Sequence, residues 1–170
     1  MTDPGLVRLN ELPDDAAEEA LRACCAATVW VESVAAGRPY PDRTALLDLS
    51  TQVLDGLDWA GVRQALDAHP RIGERARQSG REEAWSATEQ SGMDSATVEV
   101  KAALVEANRA YEERFGHVFL IFATGKTDTE MLEAAQQRAK NDEATEEKAV
   151  REELRKIVSL RLAKLLDTDS

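Results

Sequence analysis

His69 and Glu89 are the residues whose types could pass a proton between them. A histidine titrates near neutrality, and a carboxylate beside it can fix its tautomer and raise its pKa, so the two together would make an acid–base unit. Each also has a plain reading. A lone histidine on an apolar helix face is commonly a satisfied core residue, and the Ser86-x-x-Glu89 spacing is first of all a helix capping box. Arg161 is a third candidate: it shares a helical stripe with Val150, Leu154, Ile157 and Leu165, which sets a guanidinium among core-facing side chains. Such an arginine must find an anion or reach water. Its stem could pack while its head meets solvent or an internal carboxylate, or it could clamp a ligand carboxylate in a pocket.

Other chemistries fail on spacing. Gly125-Lys126-Thr127 follows an apolar run and precedes a helix, as the end of a phosphate-binding loop does, but Leu120 stands where that loop needs its first glycine. The two cysteines, Cys24 and Cys25, are adjacent, and the two histidines are far apart, so no zinc set forms. No Glu-x-x-His or His-Glu-x-x-His spacing offers a catalytic metal site, and the Gly-x-Ser-x-Gly elbow of a serine hydrolase is missing. The expectation is a site with no metal and no organic cofactor. The cysteines are read as small core residues without chemistry.

The elements that position these residues read as all-α. With 170 residues, 43% hydrophobic and 31% charged, the chain suits a single-domain multi-helix bundle over residues 1–170. Its net charge of −11 offers no basic surface for nucleic acid, and no apolar run is long enough to span a membrane. Adjacent cysteines cannot staple distant segments, and the opening MTDPGLVRLN has no signal-peptide pattern, so a cytoplasmic location is expected.

The first convincing helix starts near Pro13, with Leu21, Cys24, Cys25 and Thr28 on its buried face, and Gly37 to Pro41 break the pattern. Leu46, Leu47, Val53, Leu54 and Leu57 describe the next helix. Asp58 caps a third, in which Trp59, Val62 and Leu66 lead to an inward His69 where Pro70 ends the helix. Arg71 to Arg81 read as a loop, and Ser86 to Gln90 as the start of a short helical piece. Asp94 or Ser95 should cap a long helix bearing Leu104, Asn108, Tyr111 and Phe115, which Gly116 ends. His117, flanking that stop, is expected at the surface and outside the catalytic set.

Val118 to Ala123 form a continuous apolar run with no good strand to pair with, and are read as a buried connector. Its backbone amides then need other partners, and a bound ligand can satisfy some of them. Thr127 and Glu130 make a capping box for a helix ending near Asn141, and a final helix runs from about Asp142 to Leu166. Glu147 with Arg151 and Glu152 with Lys156 mark its solvated face.

Taken in order, His69-Pro70-Arg71-Ile72-Gly73, Ser86-Ala87-Thr88-Glu89-Gln90, Asn108-Arg109-Ala110-Tyr111 and Phe115-Gly116-His117-Val118-Phe119-Leu120-Ile121 resemble one family, the 2-oxo-4-hydroxy-4-carboxy-5-ureidoimidazoline (OHCU) decarboxylases of urate breakdown. The resemblance runs from Leu9 through the Leu154 to Leu162 segment. His117-Val118 departs from it where many members carry Phe-Pro, and the ending Asp167-Thr168-Asp169-Ser170 lacks the peroxisomal tripeptide of animal members. The resemblance implies an all-helical homodimer, a cofactor-free carboxy-lyase yielding (S)-allantoin and carbon dioxide. It implies His69 as the proton-transfer residue with Glu89 as its partner. Pro70, the Ser86, Ala87, Thr88 and Gln90 segment, and the Phe119, Leu120, Ile121, Phe122 and Ala123 backbone would line the substrate, with Arg161 as the anion contact. Two other classes stay open: a hydrolase of a related ureide, and a non-catalytic acidic helical module for protein interaction.

Overall fold

Short polar residues cap several of the helices of this protein, Asp3, Asp42, Asp58, Thr97 and Thr127 among them. A computed structural model describes residues 3–69, 85 and 97–167. Asp3 accepts from Leu6 N–H at 3.2 Å and starts α1 (Pro4–Glu11), with proline in the first turn. There follow α2 (Asp14–Arg22), α3 (Thr28–Ala36), α4 (Arg43–Gly56) and α5 (Trp59–Asp67). Asp42 caps α4 through Ala45 N–H at 2.8 Å, and Asp58 caps α5 through Gly61 N–H at 2.8 Å. Then come α6 (Val98–Phe115), α7 (Asp128–Arg138) and α8 (Glu143–Asp167). No strand occurs among the described residues, so the all-α expectation holds.

Several boundaries differ from the sequence reading. The helix α1 was not anticipated, and the single helix expected after Pro13 is two. Helix α2 stops after Arg22, where Cys24 and Cys25 N–H share the Leu21 C=O at 2.9 and 3.1 Å. A distant side chain then starts α3: Gln64 Oε1 accepts from Thr28 N–H at 2.9 Å, an acceptor that no local pattern reveals. Cys24 and Cys25 are nevertheless buried, as expected of core residues. The cap of α6 is Thr97, whose hydroxyl accepts from Val100 N–H at 3.2 Å; Asp94 and Ser95 lie outside the described residues. At its other end Gly116 adopts φ 79°, the left-handed cap that glycine supplies without strain. The capping box of Thr127 and Glu130 is present.

The chain divides into two compact units, Met1–Ala65 with Arg155–Ser170, and Leu66–Leu154. In the first, α2 packs on α3 and α3 on α4. Buried Trp30 donates from Nε1 to Ser50 Oγ at 3.0 Å, which satisfies the indole inside the apolar core. Arg38 binds the carbonyls of Leu9, Leu12 and Ala35 at 2.9, 2.6 and 3.0 Å, gathering the ends of α1 and α3 on one guanidinium. Arg43 joins Asp3 to Asp167 and so ties α1 to the end of α8.

In the second unit α6 packs on α7. Leu104, Ala107 and Tyr111 from α6, Met131 and Ala135 from α7, and Phe119, Ile121 and Ala123 from the segment between them form one buried cluster. The predicted stripe of α8 is also buried along its length: Val150, Leu154, Ile157, Arg161 and Leu165 are all under 10% exposed. No described helix is long and apolar enough to cross a membrane.

Candidate active site

His69 sits two residues beyond α5, half-buried, its N–H bonded to Leu66 C=O at 3.0 Å. The helix thus ends where the following proline demands, and the imidazole is presented at a helix terminus. Pro70, Ser86, Ala87, Thr88, Glu89 and Gln90 lie outside the described residues, as does the loop expected from Arg71 to Arg81.

Residues 118–123 take no regular secondary structure, as the connector reading required. Phe119, Leu120, Ile121 and Ala123 are 1–5% exposed. Of the amides from Phe119 to Ala123, only Phe122 N–H meets an acceptor among the described residues, Glu153 Oε1 at 3.1 Å. Buried backbone donors are almost always paired, so donors that meet no acceptor among the described residues are a feature that a ligand's oxygen atoms would satisfy.

A buried polar cluster holds this segment in place. Glu146 on α8 is 1% exposed and accepts from Tyr111 Oη, from Arg138 Nε at 3.0 Å and from Asn141 Nδ2 at 3.1 Å. The Arg138 guanidinium also pairs with Glu146 through Nη2, lies 4.7 Å over the Phe119 ring, and donates from Nη1 to Leu120 C=O at 2.5 Å. Burial pushes the Tyr111 hydroxyl pKa up, and its bond to Glu146 pushes it further, so it remains a donor. Lys126 Nζ reaches back to Phe122 C=O at 2.6 Å.

His117 corrects the sequence reading. It is buried, 7% exposed, with its ring edge-on to Tyr111 at 5.5 Å and stacked on Phe115 at 6.1 Å. The left-handed turn at Gly116 folds the chain back onto the aromatic stripe of α6 and carries His117 inward.

Arg161 belongs to the first unit, on α8. It is 2% exposed, and Nη1 donates to Ala23 C=O at 3.3 Å. Cys25 lies within its field, yet burial dominates and pushes that thiol up to about 11, leaving it protonated and unreactive at neutral pH. No group of three or more histidine, cysteine, aspartate or glutamate residues suited to a metal ion occurs among the described residues.

Sequence reasoning missed Arg138, Glu146, Glu153 and the use made of Lys126. A signal for Glu146 existed: it stands four residues before Val150, so the buried stripe of α8 begins with a carboxylate, which demands partners as surely as Arg161 does.

Comparison with known proteins gives a consistent set of likenesses. Residues 10–163 match the model of the OHCU decarboxylase family. A 2-oxo-4-hydroxy-4-carboxy-5-ureidoimidazoline decarboxylase of Haloferax volcanii is 26% identical over 165 residues, covering 96% of this chain and 97% of that protein. The uric acid degradation bifunctional protein of Arabidopsis thaliana is 30% identical over 154 residues, 87% of this chain; the match spans about half of that relative, 47% of its length. Among solved structures, an OHCU decarboxylase crystallised in the presence of (S)-allantoin has the same fold, with a TM-score of 0.77 at 24% identity over 92% of this chain and 100% of that one.

Proposed function

This chain belongs to the OHCU decarboxylase family, and on that premise we propose that it converts 2-oxo-4-hydroxy-4-carboxy-5-ureidoimidazoline to (S)-allantoin and carbon dioxide. The family match over residues 10–163 carries this reading. Connector amides that meet no acceptor among the described residues support it, because such donors suit a small ring rich in carbonyl and ureido oxygens.

The reaction needs little beyond positioning. The substrate's carboxylate hangs on a ring carbon next to a C=N bond. When the carbon–carboxylate bond breaks, its electron pair passes into the imine, as in a β-keto acid, and carbon dioxide leaves. One proton must then reach carbon on a single face, which sets the handedness of the product. The substrate is its own electron sink, so the protein's work is to orient the carboxylate, stabilise developing charge and deliver the proton.

In this reading His69 mediates the proton transfer, oriented by Glu89. Arg161 is the anion contact. Pro70, Ser86, Ala87, Thr88 and Gln90, with the backbone from Phe119 to Ala123, line the substrate. The protein acts as a homodimer in the cytoplasm.

The test adds freshly generated substrate and follows carbon dioxide and optical rotation together. Release of carbon dioxide well above the spontaneous rate with optically active product of the (S) hand is expected, since uncatalysed decay gives a racemate. A racemate formed at the spontaneous pace would exclude the activity. General acid–base assistance is worth about two to four powers of ten, so His69→Asn should lose about that much turnover while keeping its helical circular dichroism. Near wild-type turnover in that variant would remove His69 from the mechanism.

A further inference from the structure

The connector is gripped by charged side chains along one edge. Leu120 C=O accepts from Arg138 at 2.5 Å, Phe122 C=O accepts from Lys126 at 2.6 Å, and Phe122 N–H donates to Glu153 at 3.1 Å. The side chains of Phe119, Ile121 and Ala123 enter one core cluster while Leu120 and Phe122 stay out of it, the alternation of an extended chain. In such a chain successive residues direct their N–H and C=O groups to opposite edges. Each trans peptide plane also sets the carbonyl of one residue antiparallel to the N–H of the next. Holding the carbonyls of Leu120 and Phe122 therefore turns the N–H groups of Ile121 and Ala123 the other way, where neither meets an acceptor among the described residues.

We propose that Arg138 and Lys126 are positioning residues for the decarboxylation: from behind the peptide planes they aim and polarise the Ile121 and Ala123 N–H groups that hold the substrate's oxygen atoms. This rests on the reading of the connector as substrate-lining. A cation on a carbonyl draws electron density from the shared peptide group and makes its N–H a stronger donor. Arg138 is suited to this because Glu146 engages Nε and Nη2 and leaves Nη1 to the carbonyl, a division that the point charge of a lysine cannot reproduce. Among the described residues Lys126 holds one carbonyl, together with a ring contact to Phe122 at 5.5 Å. Its place in the chain mimics a phosphate loop, and the structure gives it a different task.

The test compares wild type, Lys126→Met, Lys126→Arg, Arg138→Met and Arg138→Lys, each as the whole chain. It measures kcat and KM for decarboxylation and the amide proton shifts of Ile121 and Ala123. Removing an entire oxyanion-type donor costs about 100- to 1,000-fold in kcat, so weakening one should cost about tenfold. Lys126→Met is expected to lose about tenfold in kcat with KM changed less than threefold, to keep the wild-type melting temperature, and to move the Ala123 amide upfield while leaving that of Ile121 in place. Arg138→Met should move the Ile121 amide instead. Lys126→Arg should restore turnover and Arg138→Lys should not. Turnover within twofold of wild type in Lys126→Met, or unmoved amides in either methionine variant, would overturn the proposal. Lys126→Met decides alone if Arg138→Met does not fold. Should wild type release no carbon dioxide, the functional reading fails by itself, and the amide shifts still decide whether the grip exists.

Discussion

Glu146 joins Tyr111, Arg138 and Asn141 in a buried polar cluster of the second unit, so its loss should cost stability there. Glu146→Leu leaves the Arg138 cation, 13% exposed, without its carboxylate, and strips Tyr111 and Asn141 of their acceptor. Removing one partner of a buried ion pair destabilises by about 3–5 kcal/mol, and a stranded buried hydroxyl by about 1–3 kcal/mol. Arg138 keeps its bond to Leu120 C=O and some access to water, which holds the expected total to about 4 kcal/mol. In a chain of this size each kcal/mol moves the melting temperature by about 2–4 °C, so a fall of roughly 8–16 °C should follow. The double variant, Glu146→Leu with Arg138→Met, removes both charges and should recover about 2 kcal/mol of that loss, because an apolar replacement of both partners is often tolerated. Urea unfolding followed by circular dichroism closes the cycle. A Glu146→Leu loss under about 1 kcal/mol, or single-variant losses that simply add in the double, would refute the picture of a coupled buried cluster.

Two further effects can be read from packing and burial. A Cβ on Gly5 would stand 1.8 Å from Leu166 O, a backbone atom that cannot rotate away, so Gly5→Ala should lose about 2–3 kcal/mol in urea unfolding. Gly56→Ala meets nothing within 4 Å and should instead gain about 0.4–1 kcal/mol, which makes it the control of opposite sign. The chain has two tyrosines, and burial pushes Tyr40 up to about 12 and Tyr111 up as well. A folded pKa above the unfolded value of about 10 gives stability that is complete below pH 10 and lost as the pH rises past it. Tyrosinate absorbance at pH 11 should therefore be a small fraction of the roughly nine-tenths ionisation of free tyrosine. Tyr111→Phe should flatten the alkaline loss of stability. Full tyrosinate absorbance with helical dichroism intact would contradict the burial of both rings.

How much of this was legible depended on whether the governing contact was local. The capping box of Thr127 and the glycine stop at Gly116 lie within a few residues of what they control, and both stand as the sequence implied. The stripe through Arg161 was equally readable, because helical period alone decides which side chains share a face. The break between α2 and α3 was not, since the acceptor that starts α3 is Gln64, 36 residues away. Glu146 and Arg138 fall between these cases. Each sits on an apolar stripe and so announces a buried charge, but only the folded chain brings the Tyr111 hydroxyl, 35 residues from Glu146, to the same point. For the site itself, the connector and its need for acceptors followed from the lack of a partner strand. The charged grip on it did not, because Lys126 and Glu153 are common surface residue types with nothing in their spacing to mark them.

A chain of net charge −11 that takes an anionic substrate must supply positive potential at short range. At physiological ionic strength fields fade over about 8 Å, so the acidic surface acts on approach and the bound state answers to its immediate neighbours. On the proposed reading those include the N–H dipoles of the connector, with Arg138 and Lys126 behind the peptide planes. An N–H donor brings no net charge that another carboxylate must neutralise, which suits a site in an acidic protein. The consequence is a salt dependence opposite to that of an enzyme steered by a basic surface patch. Raising ionic strength from roughly 50 to 300 mM screens the general repulsion and leaves the buried donors intact, so KM should stay flat or fall. A several-fold rise in KM over that range would mean that exposed cations recruit the substrate and would displace the connector from its role.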